Sequence, residues 1–243
     1  MTPFSEYGNR DEYRRLIAQR MVSWRTEYKE TELFICADKL LERLALEAVV
    51  RLRAVLDGYI KTQPEFATSL VPVKPLPDAP SVIADMCRAA CAANVGPMAA
   101  VAGAFSEYVG REILKSSNEV IVENGGDIFM KADTERTVAV YAGNSPLSLK
   151  IGIIVEPGHV SICTSSGTVG PSISFGCADA AVVVSRDACL ADACATRLGN
   201  EIKSADDIAR ALDVIAGISG VIGAVAVVGD KCGAVGDIRL TAL

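Results

Sequence analysis

Asp192 and Thr196 stand four residues apart in ACLADACATRLGN, and on a helix their oxygen-bearing side chains share one face. A carboxylate beside a hydroxyl suits a hard cation such as Mg2+, which takes oxygen ligands and keeps part of its water. The same spacing also describes an exposed Asp and a Thr bonded back to its own helix, the commoner arrangement. Upstream, CTSSGTVGPS gathers the hydroxyls of Thr164, Ser165, Ser166 and Thr168 around Gly167 and Gly170. Backbone N–H groups in such a loop can cradle a phosphate or the edge of a flavin. No Gly-Lys-Ser/Thr follows, so this is not a P-loop, and a plain strand-to-strand connection is an equal reading. Gly125, Gly126 and Asp127 read first as a hairpin turn after Asn124. The helix start after Gly96-Pro97 offers N–H groups that could hold an anion.

Thiols are the second candidate chemistry. Of eight cysteines, Cys163 directly precedes the Ser/Thr loop and Cys177 follows it. A thiolate near a helix N-terminus can be activated, which would suit a redox or persulfide role. Most free cysteines are instead small buried hydrophobes, the reading for Cys87 and Cys91. No Cys-x-x-Cys spacing occurs, so a structural zinc site is not expected. His159 is the single histidine and follows a Pro-Gly turn, where a surface position is expected; no Ser-His-Asp arrangement can be assembled.

The elements that must position these groups follow from pattern. After a charged lead-in (residues 1–20), MVSWRTEYKETELFICAD reads as a hairpin turning at Lys29 and Glu30. Residues 39–62 form an amphipathic helix with Leu40, Leu44, Ala48, Leu52, Val55 and Tyr59 near one face. A Pro-rich stretch over 63–80 excludes regular helix. Helical patterning resumes at Ser81, breaks at Gly96-Pro97 and runs on through MAAVAGAFSEYVGREILK. NEVIVENGGDIFMKA reads as a second hairpin, TVAVYAG as a further strand, and SLKIGIIVEPGHVSICTS as two strands turned at Pro157-Gly158. Strand DAAVVVS, a helix capped by Asp187 and ended by Gly199, a helix begun by the capping pair Ser204 and Asp207, and a last hairpin of VIGAVAVVG with AVGDIRLTA complete the chain.

The two halves thus share the order hairpin, helices, hairpin, which predicts a duplicated α+β unit with antiparallel sheet covered by helices. The expected division is 1–145, holding the Pro-rich insertion, and 146–243, holding the metal and ligand site. Half the residues are hydrophobic but only 5% are aromatic, so Ala, Val, Ile and Leu must build the core. A net charge of −6 argues against nucleic acid as a partner. No apolar run reaches the ~18 residues of a membrane span, and the polar N-terminus lacks a signal-peptide core, so a cytoplasmic location is expected.

ADACAT resembles the AD-x-x-AT helix of the ApbE-like superfamily of flavin transferases, VENGGDI its glycine-rich hairpin, and CTSSG its strand ending in Ser-Gly. YKETELFI, QPEFATSL, NVGPMAAVAGAFSEYVG, TSSGTVGPSISFG and ADACATRLGN resemble more closely a cytoplasmic bacterial and archaeal branch of that superfamily. The resemblance implies a duplicated T-fold of two antiparallel sheets with paired helices. It implies Mg2+ at Asp192 and Thr196, with FAD or FMN or another phosphorylated small molecule beside it. Gly96, Gly126, Asp127 and the loop Thr164, Ser165, Ser166, Gly167 and Gly170 would line that pocket. Flavin transferases carry a His-x-x-Asp-Pro-x-x-Gly loop where this chain has the shorter TVGPSISFG. The closer branch is linked to sulfide assimilation and homocysteine formation, which would give Cys163 or Cys177 a catalytic role. A ligand-binding protein without catalysis is the third expectation, and self-association is left open.

Overall fold

A computed structural model describes residues 21–168 and 175–243; the lead-in at 1–20 and Gly170 lie outside the described residues. The chain opens with strands β1 (Val22–Tyr28) and β2 (Thr31–Ala37), turned at Lys29, whose φ is +53°. Helix α1 (Glu42–Thr62) buries Ala45, Ala48, Val49, Leu56 and Tyr59. That face is rotated from the expected one. Leu40 precedes the helix and is exposed, while Leu52 and Val55 lie at the margin.

In the Pro-rich stretch one helical turn forms, α2 (Glu65–Thr68), led in by Pro64, whose fixed φ fits a helix start. Phe66 stacks edge-on against Tyr59 at 5.3 Å, and the Tyr59 hydroxyl accepts from the Leu76 N–H at 2.9 Å. The stretch is therefore strapped to α1. Helix α3 (Ser81–Ala93) ends at left-handed Asn94, and Pro97 opens a 3-10 turn (Pro97–Ala100) that continues as α4 (Val101–Ile113).

Strands β3 (Val120–Asn124) and β4 (Asp127–Ala132) form the expected glycine hairpin, with Gly125 and Gly126 both at positive φ. Next come β5 (Arg136–Ala139), β6 (Ile151–Val155), β7 (Gly158–Ser165) and β8 (Ala180–Ser185). Helix α5 (Ala188–Glu201) follows, capped as expected by Asp187, whose carboxylate accepts from the Leu190 N–H. The Ser204–Asp207 capping box opens a 3-10 turn before α6 (Ile208–Ala216). Strands β9 (Val221–Val228), β10 (Lys231–Gly236) and β11 (Arg239–Ala242) end the chain.

The strands make two antiparallel sheets, one in the order β1-β2-β3-β4-β7-β8-β9-β10 and one in the order β11-β6-β5. Helices α1 and α4 cover the β1–β4 half of the large sheet, and α5 and α6 cover the β7–β10 half. The small sheet closes the opposite face, where Ile121, Met130, Ile162, Val182 and Val225 meet Val138 and Ile153. Alternation sorts the strands between the layers, as Ile162 faces the small sheet and Cys163 the helices. Each fully buried Ile or Phe adds ~1.5–3 kcal/mol over an exposed one.

Three expectations are corrected. β6 and β7 do not pair across Pro157-Gly158; β6 joins β5 and β11, while β7 joins β4 and β8. The second unit's first hairpin is therefore β7–β8. The last expected strand breaks at Gly236 (φ +92°), where a Cβ would collide with the Ile222 carbonyl, and β11 crosses to the small sheet. Helix α5 runs past Gly199 to Glu201, because Gly199 keeps its place in the helix while its carbonyl packs against Gly176. The expected division at 145 and 146 falls between β5 and β6, which pair with each other.

Candidate functional site

The site forms where α4 and α5 press together. Gly103 of α4 makes the approach possible: a Cβ there would collide with the Ala188 carbonyl oxygen and stand 2.9 Å from the Asp192 Cβ. The facing stretch of α5 is built from buried Ala188, Cys189, Ala191, Ala193, Cys194 and Ala195, so backbone can meet backbone. Within this seam Asp192 is 9% exposed, and its Oδ2 accepts from the Gly103 N–H at 2.8 Å. That N–H belongs to the first turn of α4, whose dipole favours an anion. Burial nevertheless dominates. Desolvation, then the charge of Asp127, hold the Asp192 carboxyl well above the usual range, against the N–H groups of Gly103 and Ala102 that favour its charged form.

Asp127 reaches the same place from the sheet. It starts β4 immediately after the two left-handed glycines, is 8% exposed, and its Oδ1 accepts from the Thr164 N–H at 3.3 Å. The hairpin is tied to α4: the Ser106 hydroxyl donates to the Asp127 carbonyl at 2.8 Å, and the Asn124 amide to the Ala102 carbonyl at 3.2 Å. Cys163 lies fully buried in this cluster, donating through Sγ to the Ala188 carbonyl at 3.6 Å. Burial first, then the charges of Asp127 and Asp192, push its thiol well above the ordinary cysteine range. Such a thiol stays protonated, the opposite of an activated nucleophile.

Other expected residues surround the cluster unevenly. Thr196 sits half-buried one turn beyond Asp192. Ser165 is buried beside half-buried Thr164 at the end of β7. Ser166 is buried, with its hydroxyl accepting from the Thr168 N–H, and the Gly167 N–H donates to the Ala178 carbonyl at 2.8 Å. With Thr164 bonded to Asp127, three N–H groups of the expected anion cradle are engaged inside the protein. Gly126 is a turn residue whose Cβ would lie 3.8 Å from the Thr164 carbonyl, so it borders the cluster. Gly96 is brought elsewhere: it packs directly on the Ser69 carbonyl of the Pro-rich stretch. Cys177 is half-buried, its N–H bonded to the Ile202 carbonyl at 2.9 Å.

Sequence reasoning missed Glu107. It is 4% exposed on α4, accepts from the Ala188 N–H at 2.7 Å and pairs with Arg111. The available signal was its place four residues after Gly103, on the face that small residues mark as a contact. His159, expected at the surface, is instead half-buried against the Phe129 ring at 4.9 Å.

Among the described residues no cluster of three or more His, Cys, Asp or Glu side chains forms a ready metal cage. Mg2+ does not require one. It commonly takes one or two carboxylates together with water and ligand phosphates. Asp127, Asp192 and the Thr196 hydroxyl fit that hard-oxygen pattern. Among the described residues no ammonium or guanidinium forms an ion pair with Asp192. No single described helix is long and apolar enough to cross a membrane.

Comparison with known proteins agrees with this architecture. The family model described as "AbpE bacteria" matches residues 14–230. A UPF0280 protein of Methanocella arvoryzae is 41% identical over 215 residues, covering 87% of each chain. Another, from Methanococcus aeolicus, is 42% identical over 202 residues, covering 80% of this chain and 82% of its own. Among solved structures, the apo flavinyl transferase ApbE of Pseudomonas stutzeri superposes with a TM-score of 0.56 at 11% identity, covering 91% of this chain and 94% of its own. A mutant of the flavin transferase ApbE from Vibrio cholerae gives 0.56 at 14% identity, covering 91% and 97%. The structural likeness carries the fold, the sequence match carries the family, and this chain, of ApbE-like fold, belongs to the family described as "AbpE bacteria", with UPF0280 proteins among its relatives.

Proposed function

We propose that the protein is an ApbE-like enzyme that binds Mg2+ through Asp192 and Thr196, with Asp127 beside them, and so captures a flavin nucleotide or another phosphorylated small molecule. The observation that carries this reading is the burial of Asp127 and Asp192 near one another, with Asp192 balanced only by backbone N–H groups among the described residues. The charge of Asp127 adds to burial in disfavouring ionisation of Asp192, and a cation bound there would offset both. Bound there, Mg2+ would neutralise a phosphoryl oxygen of the ligand. The chain's own part is to orient: the Gly103 N–H fixes Asp192, and the Thr164 N–H fixes Asp127. The solved flavin transferases of this fold support FAD or FMN as the first ligands to try.

A cytoplasmic setting and a partner that is neither nucleic acid nor membrane belong to the same proposal; the acidic net charge of −6 bears on the nucleic-acid part of it. A sulfur carrier at Cys163 is less well supported, since burial and two carboxylates oppose its thiolate.

The test is calorimetric titration with Mg2+, FAD and FMN, singly and together. The expected result is Mg2+-dependent flavin binding in the wild type and none in a folded Asp192→Ala. Equal binding of Mg2+ by Asp192→Ala would overturn the assignment of the metal site. Flavin binding that ignores Mg2+ would overturn the coupling.

A further inference from the structure

We infer that Glu107 is a positioning residue for Asp192, acting through a reciprocal clamp between α4 and α5. The contacts run in opposite directions along the two helices, with Gly103 meeting Asp192 and Glu107 meeting Ala188. Each helix thereby supplies a carboxylate to a backbone N–H in the first turn of the other. The bonds are similar in length, 2.8 Å for Gly103 N–H to Asp192 and 2.7 Å for Ala188 N–H to Glu107.

Glu107 does more than finish a helix end. Helix α5 already has its own cap, because Asp187 accepts from the Leu190 N–H at 2.9 Å. The Glu107 bond therefore ties one helix to the other. Its carboxylate also pairs with Arg111, whereas among the described residues no cation pairs with Asp192. Gly103 supplies the opposing limit: the Ala188 carbonyl and the Asp192 Cβ already touch it, and α5 cannot move closer. Glu107 prevents movement the other way. Between the two limits the Asp192 carboxylate is held on the Gly103 N–H.

The consequence for metal affinity rests on the reading that Asp192 holds Mg2+; the clamp itself does not. In the full chain, Glu107→Ala, Glu107→Gln and Glu107→Asp are compared by Mg2+ titration and by hydrogen exchange at the Gly103 amide without metal. A core variant, Ile113→Val, controls for lost stability. Glu107→Ala is expected to weaken Mg2+ by ~10-fold or more, the usual scale for an outer-shell partner of a metal ligand. It should also speed Gly103 exchange beyond the control. Glu107→Gln keeps an acceptor and should restore both; Glu107→Asp, one methylene shorter, should fall between and covers the case of an unfolded Ala variant. Wild-type Mg2+ affinity and wild-type Gly103 protection in folded Glu107→Ala and Glu107→Asp would overturn the inference. Should the wild type itself bind no Mg2+, the metal reading fails, and Gly103 exchange alone then upholds or sinks the clamp.

Discussion

The two halves of the large sheet have the same strand order and opposite cores. Under α1 and α4, the β1–β4 half is filled by Trp24, Leu33, Ile35, Val49, Ile113 and Phe129. In the β7–β10 half, Ala181, Ala191, Ala193, Ala195, Ala224 and Ala226, with Cys163 and Cys194, fill much of the space under α5, while Ile208, Leu212 and Ile215 of α6 pack on β9 and β10. Large side chains hold a helix away from its neighbours and derive stability from buried area. Small ones allow close backbone approach, and short carboxylates can then reach a neighbouring helix's N–H groups. The first half is built for buried area, and the seam beside the second is where the proposed metal site lies. That division of labour is what the following substitutions break or sharpen.

The largest effect is expected from Leu33→Ala, at a fully buried position of the first half. The loss should be ~2–5 kcal/mol by urea unfolding, from lost transfer energy and a residual cavity. Mg2+ affinity of the remaining folded protein should stay unchanged. A fall in affinity alongside stability would show that the halves are not separable.

Two helical glycines sharpen the contrast. Gly58 on α1 has open space where a Cβ would go, so Gly58→Ala should stabilise by about 0.5–1 kcal/mol. Gly103→Ala places a methyl group against the Ala188 carbonyl and should cost about 1–3 kcal/mol. It should also weaken Mg2+ binding by displacing Asp192. Unfolding curves and calorimetry on the pair decide it; the idea of a close-packed seam fails if Gly103→Ala is as benign as Gly58→Ala.

Local chemistry made much of this legible in the sequence. The turns at Lys29 and at Gly125-Gly126, the break at Gly96-Pro97, the Asp187 cap and the Ser204–Asp207 box each depend on a few adjacent residues, and each formed. What escaped depends on distant partners. Nothing near Pro157 says that β6 will leave for a second sheet, since that pairing is decided by β5 and by β11 at the far end of the chain. Asp192 and Thr196 were visible as a helical pair. The approach of Asp127, 65 residues earlier (192 − 127), needed the β4–β7 pairing and the Gly103 contact. Glu107 looked like an ordinary helix charge until α5 was laid across it.

The smallest effect belongs to the boundary between the halves. His159 on β7 packs against Phe129 of β4, and its Nε2 meets no hydrogen-bond partner among the described residues. Burial first, then the charges of Arg111 and Arg186, depress its pKa below 6.5, while Asp187 acts weakly the other way. The unfolded chain therefore takes up a proton near pH 6.5 that the folded protein resists. The stability from neutral His159 is fully present above that pH and is lost as pH falls towards the depressed folded value. His159→Phe removes the titration and keeps a ring beside Phe129. Between pH 7 and about 5.5, the wild type should lose more stability than the variant. Parallel urea curves at the two pH values give the double difference. An identical loss in both proteins would mean that the imidazole is solvated, and that the joint between the halves is looser than its packing indicates.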